Sequence, residues 1–126
     1  MEQEGSANSF AENGLEIIAG RNYIDQGDIQ LPTTDPKKAF AIIKENIRQR
    51  LQASDKVLSI GGDHSVSWPI LDAYSDKYPG LHVLHLDAHT DLYENFDDNP
   101  FSHASPFARL AEKRKTGSIT QVGIRT

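Results

Sequence analysis

The stretch Leu81-His82-Val83-Leu84-His85-Leu86-Asp87-Ala88-His89-Thr90-Asp91 decides the fold. Its first six residues predict an apolar strand, entered from the chain breaker Pro79-Gly80. Its last five set two carboxylates and an imidazole at alternate positions just past that strand, where open α/β sheets hold their ligands. If the extended backbone continues, residues 87, 89 and 91 share one side. Mixed Asp/His sets suit manganese, zinc or iron, whereas all-oxygen sets suit magnesium or calcium. The plainer alternative is a strand-end loop with solvated acids and a histidine satisfied in the core.

Upstream, Val57-Leu58-Ser59-Ile60 repeats the pattern: a short apolar run stopped by Gly61-Gly62, expected to be a buried strand feeding a tight turn. A helix over residues 66–77 follows. Before it, Thr34 or Asp35 can cap a helix whose first residue is Pro36 and whose apolar face is Phe40, Ile43, Ile47 and Leu51. Downstream, Ser105 and Pro106 open a helix to about residue 113, and residues 119–124 form a last strand. Asn22-Tyr23-Ile24-Asp25 is a further possible strand, closed by Gln26-Gly27-Asp28. Strands alternating with helices predict a parallel α/β sheet. Residues 1–13 are expected to be disordered or loop-like, and residues 14–126 to form one folded unit.

The chain has 126 residues, 37% of them hydrophobic and 25% charged, with a formal net charge of −5. Lys and Arg are scattered, which argues against a nucleic-acid footprint. No apolar run approaches the ~20 residues of a membrane span. The absence of cysteine excludes disulfides, thiolate metal sites and cysteine nucleophiles. The acidic, polar start is not a secretory signal, so the cytoplasm is the expected compartment.

Two further clusters carry chemistry. Gly61-Gly62-Asp63-His64-Ser65 lies between a predicted strand and a helix, where Asp63 or Ser65 can cap the helix and His64 can face a site shared with residues 87–91. Ser102-His103-Ala104-Ser105-Pro106-Phe107 is a polar loop whose histidine can move protons at neutral pH. His85 shares a face with Asp87 but lies inside an apolar strand, and is expected to be a structural core residue. His82 is expected to pack or lie at the surface. Glu94, Asp97 and Asp98 are expected to be a solvated charge run, and Trp68 and Tyr74 to serve the core or an interface.

In their order and spacing, G-G-D-H-S, D-A-H-T-D and S-H-A-S-P-F resemble three successive motifs of the ureohydrolase (arginase/agmatinase) family, with the loop around His103 closer to agmatinases. Ile24-Asp25-Gln26-Gly27-Asp28 and Gln121-Val122-Gly123-Ile124-Arg125 also resemble family segments. The resemblance implies a three-layer α/β/α arginase-like fold and hydrolysis of a guanidino compound, agmatine first, to urea and an amine. It implies two Mn2+ ions, with Asp87 bridging them, His64 and Asp91 on one and His89 on the other. Asp91 would also accept a hydrogen bond from the attacking water, and His103 would transfer protons near the substrate. Asp63 or His85 would orient a ligand imidazole. A homo-oligomer is likewise implied.

The chain departs from the family after Asp98, where no Asp-x-Asp pair supplies the two remaining ligands. It is therefore expected to be the N-terminal portion of such a domain, incomplete and of doubtful activity by itself. A non-enzymatic metal-binding or oligomerisation module is the competing reading. Deacetylation on a related single-zinc fold fits less well, because Asp91 belongs to a second-metal geometry.

Overall fold

The computed structural model describes residues 10–53, 56–113 and 116–126. Helix α1, Pro36–Ala53, begins as the sequence predicts: Asp35 Oδ1 accepts the Lys37 amide at 2.9 Å, and Pro36 supplies the preset φ of a first helical residue. A 3₁₀ turn at His64–Val66 leads into α2, Ser67–Lys77. Strand β1, Leu81–Leu86, crosses over through α3, Pro106–Glu112, to the parallel strand β2, Thr116–Val122. This β–α–β unit gives the expected α/β class, as a two-stranded parallel sheet beside helices.

The core is helical. Ile43, Ile47 and Leu51 recur at helical spacing on α1 and meet Ala73 of α2, with Phe40, Val66, Ile70 and Tyr74 around them. On α3, Phe107, Ala108 and Leu110 are buried. A buried acid, Asp72 of α2, ties the helices together: it takes Lys44 of α1 at 2.7 Å and Lys113 at the end of α3 at 2.8 Å. Lys113 also lies 4.8 Å over the Trp68 ring, so Trp68 serves as packing between elements.

Register in the sheet pairs Val83 with Ile119 and His85 with Gln121, and slips by one residue between Leu81 and His82. Gly117 sits at that slip because a side chain there would lie 2.7 Å from the Gly80 carbonyl. His82 is on the surface, its Nδ1 2.8 Å from Ser118 Oγ across the strands.

Three expectations are corrected. Residues 57–60 form no strand. Val57 is held by both backbone groups on the Tyr74 hydroxyl, but residues 57–60 pair with no strand among the described residues, and Leu58 and Ile60 stay 88% and 93% exposed. Residues 22–25 contribute only an isolated bridge between Ala19 and Tyr23. The last strand starts three residues earlier than predicted and stops at Val122, because Gly123 takes φ +94°. Of residues 1–13, the first nine lie outside the described residues.

Candidate metal centre

The site forms where β1 ends and the 3₁₀ turn begins. Asp63 caps the turn, its Oδ1 accepting the Ser65 amide at 2.8 Å, and this sets the position of His64. The Ser65 side chain and backbone contacts hold the Asp63 carboxyl below its ordinary range against the opposing effect of burial. The charges of His103 and His64 add smaller contributions in the same direction.

After Leu86 the chain does not stay extended. Residues 88 and 89 bend, and Asp91 adopts φ +50°, a left-handed conformation that costs a non-glycine residue about 1–3 kcal/mol. The expected alternation of residues 87, 89 and 91 therefore breaks. Hydrogen bonds hold the bent loop in place: the Phe107 amide, at the start of α3, donates to the Asp91 carbonyl at 3.2 Å. From beyond β2, the Arg125 amide donates to the Ala88 carbonyl at 2.9 Å, and the Asp87 amide donates to the Val122 carbonyl, the last of β2, at 3.1 Å. Gly123 lies against this turn, where a Cβ would be 3.0 Å from the Asp87 carbonyl oxygen.

The bend turns Asp91 inward and His89 outward. Asp91 is buried, and its Oδ2 lies 2.6 Å from His64 Nδ1. His64 Nδ1 is also 3.9 Å from Asp87 Oδ2. His89 is 65% exposed, yet its Nδ1 is 3.5 Å from the other Asp87 oxygen, Oδ1, which also accepts the His89 amide at 2.9 Å. That amide bond is the strongest influence holding the Asp87 carboxyl below its ordinary range. Burial opposes it, and the Ala88 amide and His85 assist.

His85 is buried as expected, at 6% exposure, and its ring lies 4.1 Å from that of Phe107. Its role is larger than core packing, because Nε2 points to Asp87 Oδ2 at 3.4 Å. One potential ligand atom from each of His64, His85, Asp87 and Asp91 lies within 4.8 Å of the others. The structure thus brings together three of the four sequence-predicted ligands, holds His89 at the rim, and adds His85. Strict alternation put His85 on the Asp87 side, and that was the available signal. His103 stands apart from the four, exposed, its ring 5.4 Å from Phe96.

The His64 imidazole and the Asp87 and Asp91 carboxylates, converging at a strand end with His85 beside them, fit a divalent transition-metal ion. The class defined by fold and site is an α/β protein with a candidate metal centre beyond its parallel strands. More particularly, the chain belongs to the arginase family, whose model matches residues 3–126.

Relatives span several activities. The chain is 38% identical over 117 residues to the agmatinase of Bacillus cereus, covering 93% of this chain and 39% of that one. It is 39% identical over 129 residues to arginase 2, chloroplastic/mitochondrial, of Arabidopsis thaliana, covering 97% and 38%. Among solved structures, the proclavaminate amidino hydrolase of Streptomyces clavuligerus matches with a TM-score of 0.75 and 32% identity, over 82% of this chain and 36% of that one. The chain spans about two fifths of the length of these curated relatives. No helix among the described residues is long and apolar enough to cross a membrane.

Proposed function

We propose that this chain carries the N-terminal share of a binuclear manganese site that hydrolyses a guanidino compound, agmatine foremost, to urea and an amine. The observation that carries the reading is the split environment of Asp87. Its Oδ2 faces His64 and His85, while its Oδ1 faces His89. A carboxylate so placed would serve two ions, His64 and Asp91 helping to hold one and His89 the other. Membership of a family whose relatives include an agmatinase and an arginase supports the reaction class.

A guanidinium carbon is a poor electrophile, so its hydrolysis needs a strong nucleophile near neutral pH. When bound, paired divalent ions supply the Lewis acidity that lowers the pKa of water. Asp91 accepts a hydrogen bond from the attacking water through its carboxylate. His103, on the loop before α3, delivers a proton to the departing amine. The two further carboxylates that complete six ligands belong to a later Asp-x-Asp pair, which these 126 residues do not contain. A cytoplasmic homo-oligomer is part of the same reading.

The test measures urea release from agmatine, arginine and guanidinobutyrate with added Mn2+. It compares the chain alone, the chain joined to the Asp-x-Asp-bearing portion of the Bacillus cereus relative, and the same fusion with His64→Ala. Expected is release from agmatine by the fusion only, lost in His64→Ala. Release by the chain alone would mean that its own ligands suffice. A folded, manganese-loaded fusion that releases no urea from any of the three would sink the reading.

A further inference from the structure

We propose that Gln121 fixes the tautomer of His85, and that His85 then aims the Asp87 carboxylate through Nε2–H without itself ligating metal. The inference rests on Asp87 being a ligand, as proposed above. Gln121 is the register partner of His85 across the two strands, and both side chains turn to the covered side of the sheet. Its Nε2 lies 2.6 Å from the Thr90 carbonyl oxygen and 3.0 Å from His85 Nδ1. A carbonyl oxygen only accepts, so the amide group facing Thr90 is the NH2 and not the oxygen. The second amide hydrogen points at His85 Nδ1, which must then accept. In a neutral imidazole the single proton is left on Nε2.

That proton has one use in view. His85 is buried and stacked on Phe107, so the ring cannot turn to water. Nε2 has no hydrogen-bond partner among the described residues at the distances of a good bond, and the Asp87 Oδ2 it faces is 3.4 Å away. A buried N–H without a partner is costly, and a shift of a few tenths of an ångström in the carboxylate removes the cost. The Asp87 oxygens are then both oriented, Oδ1 by the His89 amide and Oδ2 by His85. An Nε2 that carries a proton has no lone pair for a metal, which separates His85 from His64 despite their proximity. The Thr90 contact joins the same amide to the loop between His89 and Asp91. Gln121 and His85 are therefore positioning residues, and Gln121 acts at two points of the site at once.

The experiment titrates Mn2+ calorimetrically into the full chain and into Gln121→Leu, His85→Leu and His85→Gln, with Asp87→Asn as the ligand control. Removing an orienting partner of a metal ligand costs about 10–100-fold in affinity, and that is the loss expected for Gln121→Leu and His85→Leu. His85→Gln sets an amide N–H where Nε2–H was, so its affinity is expected to stay within about threefold of wild type. If His85→Gln loses as much as His85→Leu, His85 ligates directly and the proposal is overturned. Unchanged affinity in Gln121→Leu overturns it too, while a loss confined to Asp87→Asn leaves the proposed metal site standing. Long-range 1H–15N spectra of the chelator-treated wild-type chain need no variant to fold. A proton on Nε2 of His85 supports the proposal, and a proton on Nδ1 overturns it. Neither readout depends on urea release, so a failure of the hydrolase reading stays separate.

Discussion

The α1–α2 pair and the β1–β2 pair carry similar shares of apolar side chains and dispose of them in opposite ways. On the helices, Ile43, Ile47, Leu51 and Ala73 form one buried cluster, and the polar residues other than Asp72 and Ser75 stay partly or fully exposed. On the strands, Leu84 and Val122 are exposed and Leu86 is 71% exposed, while His85 is among the most buried side chains. The inversion follows from period. A helix concentrates its apolar residues on one stripe, so a single neighbour satisfies it. A strand that is apolar on both faces needs a layer on each, as parallel strands usually have. Here the covered side holds Val83 and the His85–Gln121 pair, and no described helix lies over Leu84 and Leu86. The candidate metal-binding residues cluster where the two regimes meet.

The sharpest way to break this contrast is to truncate one leucine-sized side chain in each region. Ile47→Ala leaves a cavity in the helical cluster and is expected to cost about 2–5 kcal/mol in urea denaturation. Leu86→Ala removes a side chain already in water and is expected to stay within about 0.5 kcal/mol. Equal costs would mean that the outer sheet face is covered, by a second copy or by further chain, and the contrast would dissolve.

Polar contacts offer a second, smaller comparison. Asp72 is buried and takes two lysines, whereas His82 and Ser118 bond across the exposed sheet face. Asp72→Asn weakens both charge-assisted bonds and leaves two ammonium groups partly uncompensated, an expected loss of about 2–3 kcal/mol. Ser118→Ala is expected to cost less than about 0.5 kcal/mol. The pH dependence has a sign as well. Burial pulls the Lys44 pKa down, but bonding to Asp72 and Asp76 outweighs it and leaves the value raised. The stabilisation is thus complete below the ordinary 10.5 and is lost as pH rises through the folded value. Thermal melts from pH 7 to 11 should show wild type approaching Asp72→Asn at the alkaline end.

How much of this was legible depended on range. The helix α1 could be read because its cap, its proline and its apolar spacing all lie within twenty residues. The association of His64 with Asp87 and Asp91 was legible from two strand-end motifs and the family they resemble. Residues 57–60 misled for a physical reason: an apolar run specifies a strand only if a neighbour is there to pair with it, and pairing is not local information. The sequence points to a core role for His85 because burial and site membership look alike in a strand that is both apolar and next to a candidate ligand. The outward turn of His89 goes with the bend at residues 88 and 89 and the left-handed Asp91 that follows, and neither composition nor alternation carries those dihedral angles.

Asp63 stands at the entry to the helical region, and the effect expected there is smaller than those at Ile47 and Asp72. Its carboxylate caps the 3₁₀ turn that begins at His64 and leads into α2. Asp63→Ala removes the cap and is expected to cost about 1 kcal/mol at neutral pH. The folded pKa is depressed, first by the Ser65 contact, so the charged cap contributes fully above the ordinary 3.8 and loses its contribution as pH falls through the folded value. Wild type and Asp63→Ala should therefore converge in stability only well into acid. Asparagine caps about as well as aspartate but does not titrate, so Asp63→Asn should match wild type at pH 7 and keep its advantage over alanine in acid. Denaturation curves at pH 7 and pH 2.5 separate the three chains. If Asp63→Asn falls with alanine at pH 7, the charge rather than the hydrogen bond holds the turn. The turn would then owe its geometry to electrostatics shared with His64 and His103, not to local capping.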